Sequence, residues 1–130
     1  MVQLLSCIVV LLLATLGPVA PAAGSEERVE VEDCFAREPV QAYLDRLQRR
    51  ILKYWRLPDE DFVPDQDVVL RLRVERGGML VGYELVSWRD RRLAENATVA
   101  LLLAFPFEAM SRDTACLAGQ PILTTLRASP

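Results

Sequence analysis

The residues on either side of Gly77-Gly78 constrain this chain more than any others, because they admit one strand pairing and exclude its neighbours. With the two glycines as a two-residue turn, Val74 meets Val81, Leu72 meets Tyr83 and Leu70 meets Leu85, and all six lie on one face. The opposite face receives Arg71 against Glu84, an opposite-charge pair, and Arg73 against Gly82. A slip of one residue sets apolar against polar side chains throughout, so the expected register is sharply specified.

The flanking segments supply a cover for that apolar face. From Pro39, the residues Val40, Tyr43, Leu44, Leu47, Ile51, Tyr54 and Trp55 recur at helical spacing, with Asp45, Arg46, Gln48, Arg49, Arg50 and Lys53 on the other side. Pro39 suits a first helical turn and Pro58 cannot continue one, which predicts a helix over about 39–55. Beyond the hairpin, Asp90 is placed to cap a second helix carrying Leu93, Ala94, Ala97, Ala100, Leu101 and Ala104 as a small-residue stripe. Its other side, Val99, Leu102 and Leu103, is also apolar, and either the first helix or a partner covers it. Pro106 ends this helix, and Pro121 precedes a last strand over 122–126. The expected fold is α+β in the order α-β-β-α-β, a three-stranded antiparallel sheet with two helices packed on one face.

Residues 1–24 carry no charged side chain, so the formal net charge of -3 belongs wholly to residues 25–130. Within the uncharged stretch the apolar run Leu4 to Leu16 leads into Ala20-Pro21-Ala22-Ala23-Gly24, the pattern of a secretory signal with cleavage between Ala22 and Gly24. The same stretch is long enough to span a bilayer if it is kept as an anchor. Residues 25–38 read as a short acidic linker or arm, and 39–130 as the domain. Outside the signal, Cys34 and Cys116 form an even pair in an exported chain. A disulfide between them would close a long loop; two separate buried thiols, or partner cysteines, are the alternatives.

Residue types restrict the chemistry. The chain has no histidine, so Ser87 and Ser111 have no imidazole to activate them. Asp65-Gln66-Asp67 resembles the start of a calcium loop, but no glycine or distal glutamate comes after it at the required spacing, and a solvated loop is expected. No cofactor is expected, and the mild acidity gives no footing for nucleic acid or an anionic membrane. The basic residues Arg46, Arg49, Arg50, Lys53 and Arg56 are succeeded by Asp59, Glu60, Asp61, Asp65 and Asp67, which reads as a solvated, self-neutralising region. Trp55 and Trp88 flank predicted elements and are expected to pack at helix ends. These features favour a binding protein over an enzyme.

Taken in order, the helix ending at Trp55-x-x-Pro58, the turn Gly77-Gly78-Met79-Leu80, the alanine-spaced helix closing at Ala104-Phe105-Pro106-Phe107 and the short final strand resemble the C-terminal domain of the TonB/TolA families. The resemblance covers residues 39–127. It implies a non-enzymatic periplasmic domain that takes a protein or peptide of the cell envelope onto a sheet edge by strand addition, with transport or energy transduction as the setting. It places the partner-binding strand at Ile122, Leu123, Thr124, Thr125 and Leu126. A periplasmic or secreted location follows, without membrane insertion of the mature domain unless its N-terminus is retained, and a second copy is an alternative partner. The chain departs from the family pattern in its spacer. About 15 residues between signal and first helix reach some 50 Å at most, which implies a free-standing binding module.

Overall fold

The computed structural model describes residues 31–58 and 65–128. The expected signal or anchor at 1–24 and the acidic residues 59–61 lie outside the described residues. Residues 31–36, expected within a loose arm, are helical. A bend at Arg37 leads into α1 (Glu38–Tyr54). Then come β1 (Gln66–Val74), β2 (Leu80–Ser87), α2 (Arg91–Ala104), a 3-10 turn (Ala115–Leu117) and β3 (Ile122–Ala128). The three strands form one antiparallel sheet in the order β2-β1-β3, the expected α+β arrangement.

Both helices, β1 and β3 bury the stripes that their sequences carry, whereas β2 buries no side chain and leaves Tyr83, expected on the covered face, 45% exposed. On α1 the buried residues are Val40, Tyr43, Leu47 and Ile51, and on α2 the six predicted residues Leu93, Ala94, Ala97, Ala100, Leu101 and Ala104. They close over Val68, Leu70, Leu72 and Val74 of the central strand. The small α2 side chains permit a close approach to the sheet. Val99, Leu102 and Leu103 remain exposed, at 54%, 42% and 57%, so α1 does not cover them. Trp55 donates its indole N–H to the Leu93 carbonyl at 3.1 Å and joins the two helix ends, whereas Trp88 stays largely exposed.

The hairpin keeps its predicted centre and changes at both ends. Leu70 pairs with Leu85, Arg71 with Glu84, Leu72 with Tyr83 and Arg73 with Gly82, while Val74 pairs with Leu80 and not Val81. The turn is longer than the two residues expected. Gly78 donates to the Glu75 carbonyl at 2.9 Å, Glu75 donates to Met79 at 2.8 Å, and Gly78 sits at φ +93°. A turn closed by a left-handed glycine and a bulge satisfies the glycine pair as well as a two-residue turn does. Val81 is consequently displaced from the ladder and 52% exposed.

Residues 105–121 lock onto the hairpin tip. Phe107 donates to the Gly78 carbonyl at 2.8 Å, Met110 to Arg76 at 2.7 Å and Gly119 to Val74 at 2.9 Å. Tyr43 of α1 adds its hydroxyl to the Glu108 carbonyl at 2.8 Å. Burial first, and the Glu108 charge second, push the Tyr43 phenol above its ordinary value of 10.0, against a smaller opposing effect of Arg46. Because the folded state favours the neutral phenol, this contribution is complete below pH 10 and lost as pH rises through the higher folded value. Replacing Tyr43 by Phe removes the hydrogen bond and lowers stability by about 1 kcal/mol at neutral pH. It also shifts the alkaline fall in melting temperature upward, as a pH series of melts will show.

Cys34 and Cys116 are joined by a disulfide with a Cα separation of 6.0 Å. It ties the 31–36 helix to the turn that introduces β3. Asp90 caps α2 as expected, its side chain accepting from the Arg92 backbone N–H at 2.9 Å. Hydrogen bonds from Arg92, side chain first, hold the Asp90 carboxyl below its ordinary value of 3.8. A depressed carboxyl stabilises above its unfolded value and loses that effect as pH falls through the folded one.

Candidate functional site

A three-stranded sheet has two edges, and they differ here. The β2 edge is broken twice, by register shifts between the pairs of Val69 and Leu70 and of Arg73 and Val74, which leave Val86 and Val81 out of the ladder. Bulges of this kind disfavour pairing with another strand. On the other side, β3 pairs with β1 without a shift from Ile122 opposite Leu72 to Ala128 opposite Gln66. It alternates strictly, with Ile122, Thr124, Leu126 and Ala128 buried and Leu123, Thr125 and Arg127 exposed. The regular edge is therefore β3.

All five predicted binding residues lie in this strand, but they contribute differently. Ile122, Thr124 and Leu126 turn their side chains into the core. Leu123, 61% exposed, and Thr125 stand on the uncovered face of the sheet. Arg127, just outside the predicted set, is hydrogen-bonded to Asp67 at 3.0 and 3.3 Å, a contact that raises its already high pKa.

The Thr125 carbonyl accepts a hydrogen bond from Gln48 Nε2 of α1 at 2.6 Å. Since backbone groups alternate in direction along an antiparallel ladder, this marks the odd-numbered residues Leu123, Thr125 and Arg127 as those facing away from β1. Alongside the edge runs an open groove of about 340 Å³, lined by Gln41, Leu44, Asp45 and Gln48 of α1 against Leu123 and Thr125. Most of its polar walls are engaged: Asp45 pairs with Arg49 at 2.7 Å, and Gln41 donates to the Phe35 carbonyl. The groove sets the apolar side chains of Leu44, Leu47, Ile122 and Leu123 beside the backbone of β3.

A second cavity of about 420 Å³ lies between α1 and the segment after α2, bounded by Tyr43, Arg46, Arg50, Phe107 and Glu108. Its cations are already satisfied: Arg46 pairs with Glu108 at 2.8 Å, and Arg50 donates to the Ala104 carbonyl that ends α2. Among the described residues no Asp or Glu is buried, and no group of three or more His, Cys, Asp or Glu could hold a metal ion. No helix among them is long and apolar enough to cross a membrane.

Gln48 and Arg127 are the site residues that sequence reasoning misses. Gln41, Leu44, Asp45 and Gln48 are spaced at three and four, a second stripe beside the buried one on α1, and that spacing is the signal that could have found Gln48. Fold and edge together define a small α+β domain with one bulged and one regular sheet edge. A comparison with family models finds no match, and neither does one with curated proteins.

Proposed function

We propose that the chain is an exported protein-interaction domain, similar in role to the TonB/TolA C-terminal domain, that takes an extended segment of a cell-envelope protein as a fourth strand beside β3. The carrying observation is the contrast between edges: β3 holds seven residues in unbroken register, whereas β2 is bulged twice. Outward backbone groups of Leu123, Thr125 and Arg127 would supply affinity, and Leu123 and the groove under α1 would supply selectivity. Export is supported by the Cys34 to Cys116 bridge, which persists in an oxidising compartment, together with the signal-like N-terminus.

The test is backbone amide mapping with extended peptides from envelope proteins or a display selection. The expected shifts centre on Leu123, Thr125 and Arg127, with β2 silent; binding that maps to β2 or α2 instead refutes the reading. Replacing Thr125 by Pro removes an outward N–H while sparing the ladder to β1, and weakens binding at least about fivefold, the value of one hydrogen bond. The exposed Val99, Leu102 and Leu103 favour a second reading, self-association through α2. Sedimentation at rising concentration separates the two, because a dimer abolished by Leu103→Glu belongs to α2.

A further inference from the structure

We propose that Gln48 guards the open edge: its side-chain amide occupies the Thr125 carbonyl in place of the backbone N–H of an incoming strand, so that the strand must displace it. This inference rests on the strand-addition reading and adds a regulating residue to it. The geometry is specific. Gln48 Nε2 lies 2.6 Å from the Thr125 oxygen, and Thr125 is central among the three outward-facing residues of β3. Gln48 reaches it from α1, across 77 positions of sequence, over the groove that an added strand would enter.

The other side chains around that groove do not duplicate this contact. Gln41 is held by the Phe35 carbonyl and Asp45 by Arg49. An unprotected, unbulged edge is a template for unwanted pairing with any extended chain. β2 meets that hazard with bulges; β3, which must stay regular to bind, meets it with a removable side-chain donor. A side-chain cap of this kind competes with a strand only weakly, because one hydrogen bond at a solvent-facing carbonyl has a small net value. It therefore raises the threshold for binding without closing the site.

The experiment uses the full oxidised domain and a blocked peptide copying residues 121–128 as the strand. Paired antiparallel about Thr125, this peptide sets Leu123 against its Arg127 and Thr124 against its Leu126, keeping each face in register. Amide titrations are run on wild type, on Gln48→Met, which keeps length and helix propensity but cannot donate, and on Gln48→Lys, which restores a donor. We expect Gln48→Met to bind about fivefold more tightly at Leu123, Thr125 and Arg127, with Gln48→Lys close to wild type. A residue with only a structural role would lower the melting temperature in Gln48→Met without tightening binding. Equal affinity for all three proteins at the β3 edge overturns the guard and leaves strand addition standing. Absence of edge shifts in every protein, Gln48→Met included, removes strand addition and the guard with it.

Discussion

The double variant Cys34→Ala/Cys116→Ala unfolds with about 4 kcal/mol less free energy than the oxidised domain. The bridge joins residues 82 positions apart, so in the chain-entropy model it removes much of the freedom of an unfolded chain that must bring the first helical segment back to the last turn. Nearly the whole fold lies inside that loop: α1, β1, β2 and α2 are all enclosed. Cys34 is buried in the core and Cys116 packs against it, and alanine avoids placing a buried hydroxyl where the sulfur was. Urea unfolding checks the prediction, read as a lower midpoint and a steeper dependence on denaturant for the less constrained unfolded state. A difference below about 1 kcal/mol would show that the unfolded chain is already compact at these positions. Intact mass before and after reduction, differing by two hydrogens, establishes that the bridge is formed in the protein assayed.

How far the sequence foretells this structure depends on the range of the interaction. The centre of the hairpin and the buried stripe of α2 are legible because both arise from periods of two and about 3.6 within a short window. Val81 is misplaced by sequence reasoning because a Gly-Gly pair serves both a two-residue turn and a turn with a bulge, and the choice is made by what touches Gly78. That partner, Phe107, lies in a different segment. Residues 31–36 read as an arm since an acidic stretch with Val29 and Val31 carries no helical stripe; its anchor, the Cys34 bridge to Cys116, is distant in sequence. The expected last strand stops at Leu126, although Ala128 continues the buried alternation, because alanine adds little to an apolar run. Position in the sheet, which decides that β3 and not β2 offers a regular edge, emerges only when all three strands are assembled. Gln48 obeys the same rule: its place on α1 is legible and its acceptor is not.

Gly78→Ala is expected to destabilise the domain by about 3 kcal/mol, through strain at a left-handed position and loss of a packed backbone contact. A Cβ built there would lie 2.1 Å from the Phe107 carbonyl oxygen and 2.9 Å from its carbon, and Gly78 holds φ +93°. Neither neighbour is a flexible side chain that could swing aside; both are backbone. Any retreat of Phe107 also breaks its N–H bond to the Gly78 carbonyl. Gly77 is the internal control, since a Cβ there meets nothing within 4 Å and its φ is not positive; Gly77→Ala should change stability by less than about 0.5 kcal/mol. Paired urea melts test the contrast, and equal effects at the two glycines would refute the clasp. The consequence reaches the β3 edge, because the segment clasped at Gly78 runs through Met110 and Gly119 into β3. Partial loss of the clasp should therefore appear as faster amide exchange at Phe107 and Met110 first, and then along β3, before the central strand loses protection.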